Sequence, residues 1–274
     1  MTENPVLFLD SGIGGMPYCY HFHQRNPRRS VVYIADRLRF PYGGRERKEI
    51  VTILSGLTEQ AVKKFNPEIV VLACNTASIS ALSELRELFP DLLFVGTVPA
   101  VKPAALASKN GKIGILGTEL TIKEPYIREL AAENGGGEII GIAAPELVEF
   151  VERRIDSAST DEKLQMVRGY VNRFRSAGTN VLVLGCTHFL FLLDEFKREA
   201  APDITVFDSV KGVTRRVESL LAEFSPPGGR TENGARPAVQ NRLLLTGSAA
   251  PEPSWLYWAD RLGFSVSLLE ESKS

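Results

Sequence analysis

Short runs of β-branched and aliphatic residues alternate along this chain with longer segments of helical period, and that alternation leaves few folds open. The short runs lie at 6–10, 31–35, 69–73, 92–96, 112–116, 138–142, 180–184, 204–207 and 242–245. The longer segments lie at 46–65, 79–88, 122–134, 147–155, 161–176, 190–200 and 213–224. In 161–176, Leu164, Val167, Val171 and Phe174 recur every three or four residues, the one-sided stripe of a helix that packs on a core. Runs such as VVLA and VLVLG are apolar nearly throughout, which suits parallel strands covered on both faces. The expected fold class is α/β, with mainly parallel sheets flanked by helices.

At 274 residues the chain is long enough for two ordinary domains. Hydrophobic residues make up 44% and charged residues 24%, which supports a substantial core. A formal net charge of -1 gives no general pull toward nucleic acid or an anionic membrane, so neither is expected as a partner. No apolar run approaches the roughly 20 residues that span a bilayer. The opening MTENPVLFLD enters a strand at once, so no secretory leader is expected and a cytoplasmic location is. The stretch 225–241 (SPPGGRTENGARPAVQN) reads as a mobile surface loop, and 135–137 as a glycine turn after a helix.

The three cysteines, Cys19, Cys74 and Cys186, lack paired CxxC spacing, which argues against a disulfide framework and a structural zinc site. A lone cysteine is usually a small buried hydrophobe. Cys19 fits that description, in an aromatic first helix with Tyr18, Tyr20, His21 and His23 that is suited to packing or a subunit contact. Cys74 and Cys186 differ. Each follows a hydrophobic strand and a small residue, in VLACNT and VLGCTH, and each precedes polar groups. Each is thereby placed just past the carboxyl end of a parallel strand, where open α/β sheets put their ligand sites. Their separation of about one domain length suggests an internal echo.

Around them, Asn75 and Thr76 offer neutral donors beside Cys74, and His188 lies two residues after Cys186, placed to move protons to or from the thiol. LFLDSGIGG (7–15) delivers Asp10 and Ser11 to a strand edge before a glycine turn. Its amides could hold a carboxylate, or Asp10 could simply cap the next helix. The spacing matches neither GxGxxG nor a GK[ST] phosphate loop. Pro41-Tyr42-Gly43 is a turn able to present amides and a phenol. On these residues alone a Cys-His hydrolase stays open, because nucleophile and base need only be neighbours in space.

Together these segments resemble the glutamate racemases of the aspartate/glutamate racemase superfamily. The likeness runs through LFLDSGIGG (7–15), DRLRFPYGGR (36–45), VVLACNTAS (70–78), GTVPAVKPA (96–104), IGILGTELT (113–121), LVLGCTHFL (182–190), FDSV (207–210) and LLLTG (243–247). It implies two similar α/β domains, a discontinuous one of 1–97 with 209–274 and another of 98–208, with the active site in the cleft between them. It implies cofactor-independent racemisation of glutamate by two cysteines, supplying D-glutamate for peptidoglycan, with no metal. Cys74 would serve the D-glutamate face, assisted by Asp10. Cys186 would serve the L-glutamate face, assisted by His188 and Glu152. Substrate contacts would come from Asp10, Ser11, Pro41, Tyr42, Gly43, Asn75, Thr76, Thr118, Thr121, Thr187 and His188. A homodimer is left open.

The chain departs from the family pattern in GCTHFLFL, with Phe189 and Leu190 where Tyr and Pro are typical, and in Ala144 and Glu149 ahead of Glu152. None of these changes touches a cysteine. Readings outside glutamate racemisation are an isomerase acting on aspartate, a hydantoin or a maleate-like acid, and a non-catalytic amino-acid-binding protein on the same fold.

Overall fold

A computed structural model describes residues 4–224 and 241–269. The chain divides into two compact units, Met1–Thr97 with Val210–Ser274, and Val98–Ser209. The loop expected at 225–241 falls on 225–240, outside the described residues; Asn241 opens a strand.

The first unit is built on a six-stranded sheet. In chain order its elements are β1 (Val6–Asp10), α1 (Met16–Arg25), β2 (Val31–Ala35), α2 (Arg47–Phe65), β3 (Ile69–Leu72), α3 (Asn75–Leu88) and β4 (Leu93–Gly96). After the second unit follow α10 (Val210–Phe224), β9 (Asn241–Leu245), α11 (Pro253–Leu262) and β10 (Ser265–Leu268). The strand order is β10-β9-β2-β1-β3-β4, every pair parallel. Strand side chains alternate between faces. Leu7, Leu9, Val70 and Leu72 join Ile50, Leu54, Ala77 and Ala81 of α2 and α3 in one core. Phe8 packs instead on Phe22 of α1, with ring centroids 5.7 Å apart. Burying a large apolar side chain of this kind contributes about 1.5–3 kcal/mol. A strand buried on both faces therefore reads as an unbroken apolar run.

The second unit contains α4 (Val101–Ala107), β5 (Lys112–Gly117), α5 (Glu119–Lys123), α6 (Pro125–Glu133), β6 (Glu138–Ala143), α7 (Pro145–Arg154), α8 (Thr160–Ser176), β7 (Val181–Gly185), α9 (Leu193–Ala200) and β8 (Thr205–Phe207). Its parallel sheet runs β6-β5-β7-β8. One face packs Ile113, Ile115, Val181 and Val183 on α4 and α6. On the other, α8 lies so close that a Cβ on Gly114 would stand 2.7 Å from Phe174 Cδ1. The stripe that identified α8 is buried at Leu164, Val167, Val171 and Phe174, and the helix opens on a reciprocal cap between Ser159 and Glu162.

Setting the β10-β9 edge aside, the remaining four strands of the first sheet, β2-β1-β3-β4, repeat the order β6-β5-β7-β8 of the second. Both follow the doubly wound pattern in which ligands bind outside the strand carboxyl ends, at the switch point between first and third strands. Cys74 follows β3 and Cys186 follows β7, the third strand of each set. The echo between VLACNT and VLGCTH thus has a topological basis.

Several elements differ from the sequence expectation. The helix expected at 122–134 is two helices, because Pro125 lacks an amide proton and holds Glu124 extended (φ -65°, ψ 121°). The helix expected from 79 begins at Asn75, directly after Cys74. The segment expected as one helix over 190–200 is a tight helical turn, Thr187–Leu192, followed by α9. Three elements, α4, α11 and β10, were not anticipated. At 135–137 the glycine turn is present, with Gly135 at φ +85° and the Gly136 amide donating to Ala131 O at 2.9 Å.

Candidate active site

Each unit carries a buried thiol at the carboxyl end of its third strand, and the two are described in turn. In the first, β1 ends at Asp10, fully buried, whose Oδ1 accepts from the Gly12 amide at 3.0 Å and from Ser11 Oγ at 3.3 Å. The carboxylate is folded onto its own glycine turn. Of the two alternatives for Asp10, capping of the next helix gives way, since the N-cap of α1 is Gly15. That glycine is set by packing: a Cβ there would meet Ala73 Cβ at 2.6 Å, Ala73 O at 2.8 Å and Tyr33 Oη at 2.9 Å. Tyr33 in turn donates to Gly12 O at 2.8 Å. The turn after β1 is therefore pressed directly against the residue before Cys74.

Cys74 is the N-cap of α3, with extended backbone (φ -137°, ψ 124°), and its Sγ accepts the Ala77 amide at 3.5 Å. Sulfur in this place faces the positive end of the helix dipole. The strand-to-helix turn is held from behind, where Leu72 O accepts from both Ser78 Oγ (3.0 Å) and Thr97 Oγ1 (3.1 Å). Asn75 and Thr76 are buried beside the cysteine. Both polar atoms of the Asn75 side chain, Oδ1 and Nδ2, are buried without a hydrogen-bond partner among the described residues. Buried amides are rarely left so, and the arrangement suits a polar ligand.

Pro41, Tyr42 and Gly43 form the expected turn, with Tyr42–Gly44 a single helical turn and Tyr42 fully buried. The Tyr42 hydroxyl donates to Asp36 Oδ2 at 2.7 Å. Burial first, then the charge and hydrogen bond of Asp36, then the charges of Cys74 and Asp10, hold its phenol well above the usual tyrosine range. It therefore remains a protonated donor. Asp36 was named only as the start of this segment, and its role as acceptor escaped the sequence reading.

In the second unit, Cys186 Sγ lies 3.7 Å from His188 Nδ1, and His188 Nε2 lies 2.7 Å from Glu152 Oε1. All three are sheltered, and the Glu152 side chain is the most open at 14% exposure. Burial works against a charged imidazole. The hydrogen bonds to Cys186 and Glu152, with the negative charge of both, outweigh it and hold His188 well above the ordinary histidine range. The three groups form a hydrogen-bonded chain from a carboxylate on α7 to a thiol at the end of β7.

Thr118 and Thr121 close the end of the neighbouring strand. Thr118 caps α5, its Oγ1 accepting the Thr121 amide at 3.3 Å, and the two hydroxyls stand 3.0 Å apart. Thr121 and Thr187 are buried. Gly117 and Gly185 are register partners beneath them, and a Cβ on Gly185 would meet Leu116 O at 3.1 Å. The first unit thus brings together Asp10, Ser11, Pro41, Tyr42, Gly43, Cys74, Asn75 and Thr76. The second brings together Thr118 with Thr121, and Cys186 with Thr187, His188 and Glu152. Cys19 lies apart, fully buried in α1, and burial pushes its thiol far above the usual cysteine range. The aromatic helix around it packs internally, with His21 Nδ1 2.9 Å from Thr214 Oγ1 of α10.

Among the described residues no group of three or more His, Cys, Asp or Glu could hold a metal ion, and no helix is long and apolar enough to cross a membrane.

Known proteins resemble this chain in both sequence and fold. Residues 22–217 match the sequence model of the Asp/Glu/Hydantoin racemase family. The glutamate racemase of Treponema pallidum is 40% identical over 236 residues, covering 85% of this chain and 88% of the relative. Among solved structures, Escherichia coli glutamate racemase in complex with L-glutamate and the activator UDP-MurNAc-ala aligns over 97% of both chains with a TM-score of 0.82 and 30% identity. The glutamate racemase isoform RacE1 of Bacillus anthracis aligns over 98% of both, with a TM-score of 0.81 and 27% identity. The chain belongs to the glutamate racemase family of amino-acid racemases, within the Asp/Glu/Hydantoin racemase group.

Proposed function

We propose that this chain interconverts L- and D-glutamate without a cofactor, with Cys74 and Cys186 as acid and base on opposite faces of the α-carbon. The observation that carries the reading is the repeated placement of a buried thiol after the third strand of each four-strand set, at the site where such sheets bind ligands. The E. coli relative, 30% identical, was crystallised with L-glutamate, which supports the substrate.

In one direction a thiolate removes the α-proton, forming an S–H bond as the C–H bond breaks. The electron pair passes into the α-carboxylate, and the opposite thiol delivers its proton to the other face. The first thiol ends protonated and the second ionised, so the reverse reaction starts from the product state. Each thiol has its own support. Asp10 stands in the turn pressed against Ala73, and His188 with Glu152 stands behind Cys186. An α-proton beside a carboxylate is weakly acidic, so the charge that develops must be met by aimed donors, each supplying about 2.7–4 kcal/mol. Ser11, the 41–43 turn, Asn75, Thr76, Thr118, Thr121 and Thr187 are the donors and acceptors proposed to hold the substrate. We assign the product to peptidoglycan synthesis and the activity to the cytoplasm as part of the same reading.

The test is incubation of the dialysed protein with L- or D-glutamate in heavy water, followed by proton NMR and circular dichroism. Loss of the α-proton signal with inversion from either enantiomer is expected. Folded, reduced protein that leaves both enantiomers unchanged would overturn the assignment.

A further inference from the structure

The buried carboxylate of Asp36 joins two stretches of chain that lie far apart in sequence. Its Oδ2 accepts the Tyr42 hydroxyl at 2.7 Å, and its Oδ1 accepts Thr246 Oγ1 at 2.7 Å and Arg39 Nη1 at 3.1 Å. Thr246 follows β9, 210 residues away in sequence, and its Oγ1 also accepts the Leu38 amide at 3.1 Å. Arg37 closes the link from the other side. Its guanidinium donates to Thr246 O (2.9 Å), to Ala250 O (3.0 Å), to Ala249 O and to Glu252 Oε2 (2.9 Å). The loop after β9 is thereby tied to the stretch from the end of β2 to the 41–43 turn. Thr246, Ala249, Ala250 and Glu252 lie beyond 22–217, the span that matches the family model.

From this we infer that Asp36 and Thr246 are positioning residues, which fix the Pro41-Tyr42-Gly43 turn through the Tyr42 hydroxyl and so make the C-terminal segment a working part of the substrate site. The inference rests on the proposed use of that turn in binding glutamate. A carboxylate that is fully buried needs several donors. Asp36 takes one from the turn and one from the C-terminal segment, so loss of either partner loosens the other's anchor. Val in place of Thr246 keeps the shape but takes from the Leu38 amide its acceptor and from Asp36 Oδ1 the shorter of its two side-chain bonds, leaving that oxygen to Arg39. Ser restores the hydroxyl.

The experiment compares Thr246→Val, Thr246→Ser and Asp36→Asn in the full-length chain by hydrogen exchange and steady-state kinetics. In Thr246→Val and Asp36→Asn, amides of the 39–46 peptide are expected to exchange at least about tenfold faster, while those of 69–78 stay at the wild-type rate. KM for both glutamate enantiomers should rise about tenfold or more, with kcat falling less. Thr246→Ser should restore both readouts. Wild-type exchange at 39–46 together with wild-type KM in Thr246→Val and Asp36→Asn would overturn the inference. If Thr246→Val fails to fold, Tyr42→Phe, which removes only the shared hydroxyl, carries the exchange readout at 39–46 in its place. Wild-type protein that exchanges no α-proton from glutamate would defeat the racemase reading. The exchange rates at 39–46 would still decide the positioning claim.

Discussion

His188 is held between a thiol and a carboxylate, with Nδ1 3.7 Å from Cys186 Sγ and Nε2 2.7 Å from Glu152 Oε1. Their hydrogen bonds and charge overcome the cost of burying an imidazolium. In an NMR titration of the three histidines, His188 is expected to titrate well above the ordinary histidine midpoint of about 6.5. Cys186→Ala and Glu152→Gln should each lower that midpoint. Because the folded value is raised, the stability it contributes is full below about pH 6.5 and is lost as pH rises through the elevated folded value. An unshifted His188 in wild type would refute this account of the second half-site.

Removing either thiol should stop inversion in both directions. General acid–base groups typically contribute 10²–10⁴-fold, so Cys74→Ala and Cys186→Ala should each reduce kcat for racemisation by at least about that factor. Circular dichroism of L- and D-glutamate reads the loss. A variant that retains wild-type inversion would show that its cysteine is not one of the two bases.

Asn75 gives a test that separates stability from binding. Its buried amide has no partner among the described residues, so the folded state gains nothing from its polar atoms. Asn75→Ala is expected to leave the unfolding temperature unchanged or raise it, while KM for glutamate increases. A large loss of stability with KM unchanged would assign the residue to the fold alone.

Gly15 should tolerate no side chain. Ala73 backbone and side-chain atoms stand within 2.8 Å of where a Cβ would be, so Gly15→Ala must push the strand end that carries Cys74. Overpacking of this kind costs about 1–3 kcal/mol. For a unit of this size that lowers Tm by the order of 2–10 °C. Activity should fall further than stability alone accounts for, as measured by racemisation well below the new Tm.

The cysteines should separate by reactivity. Cys74 and Cys186 are 7% and 6% exposed, whereas Cys19 is fully buried and its thiol is pushed upward by burial. Iodoacetamide followed by peptide mass spectrometry should label Cys74 and Cys186 in the native protein, and Cys19 only after unfolding.

The strands of both sheets were legible because parallel strands buried on two faces must be apolar throughout, and the chain writes VLFLD, VVYIA and VLVLG there. The short edge strand β10, SVSL, is mostly exposed and has no such requirement. The helix α4, with only seven residues, is too short to show a period. The cysteines and their neighbours were visible as local motifs. Glu152 was named through family resemblance alone, and its pairing with His188, 36 residues apart, is brought about by the fold. Asp36 stayed hidden because the partner that explains it, Thr246, is brought near only by the sheet.

The place of β9 also sets an order of assembly. It pairs with β2, whose Val31 amide donates to an Asn241 side chain 210 residues downstream, so the first sheet stays unfinished until β9 has been synthesised. The second unit is continuous from Val98 to Ser209 and has every strand it needs before β9 is synthesised. During translation the sheet that carries Cys186 therefore has all its strands before the sheet that carries Cys74 does. The flank of β2 that β9 covers waits for that strand, and until then it is an unpaired edge open to pairing with another chain.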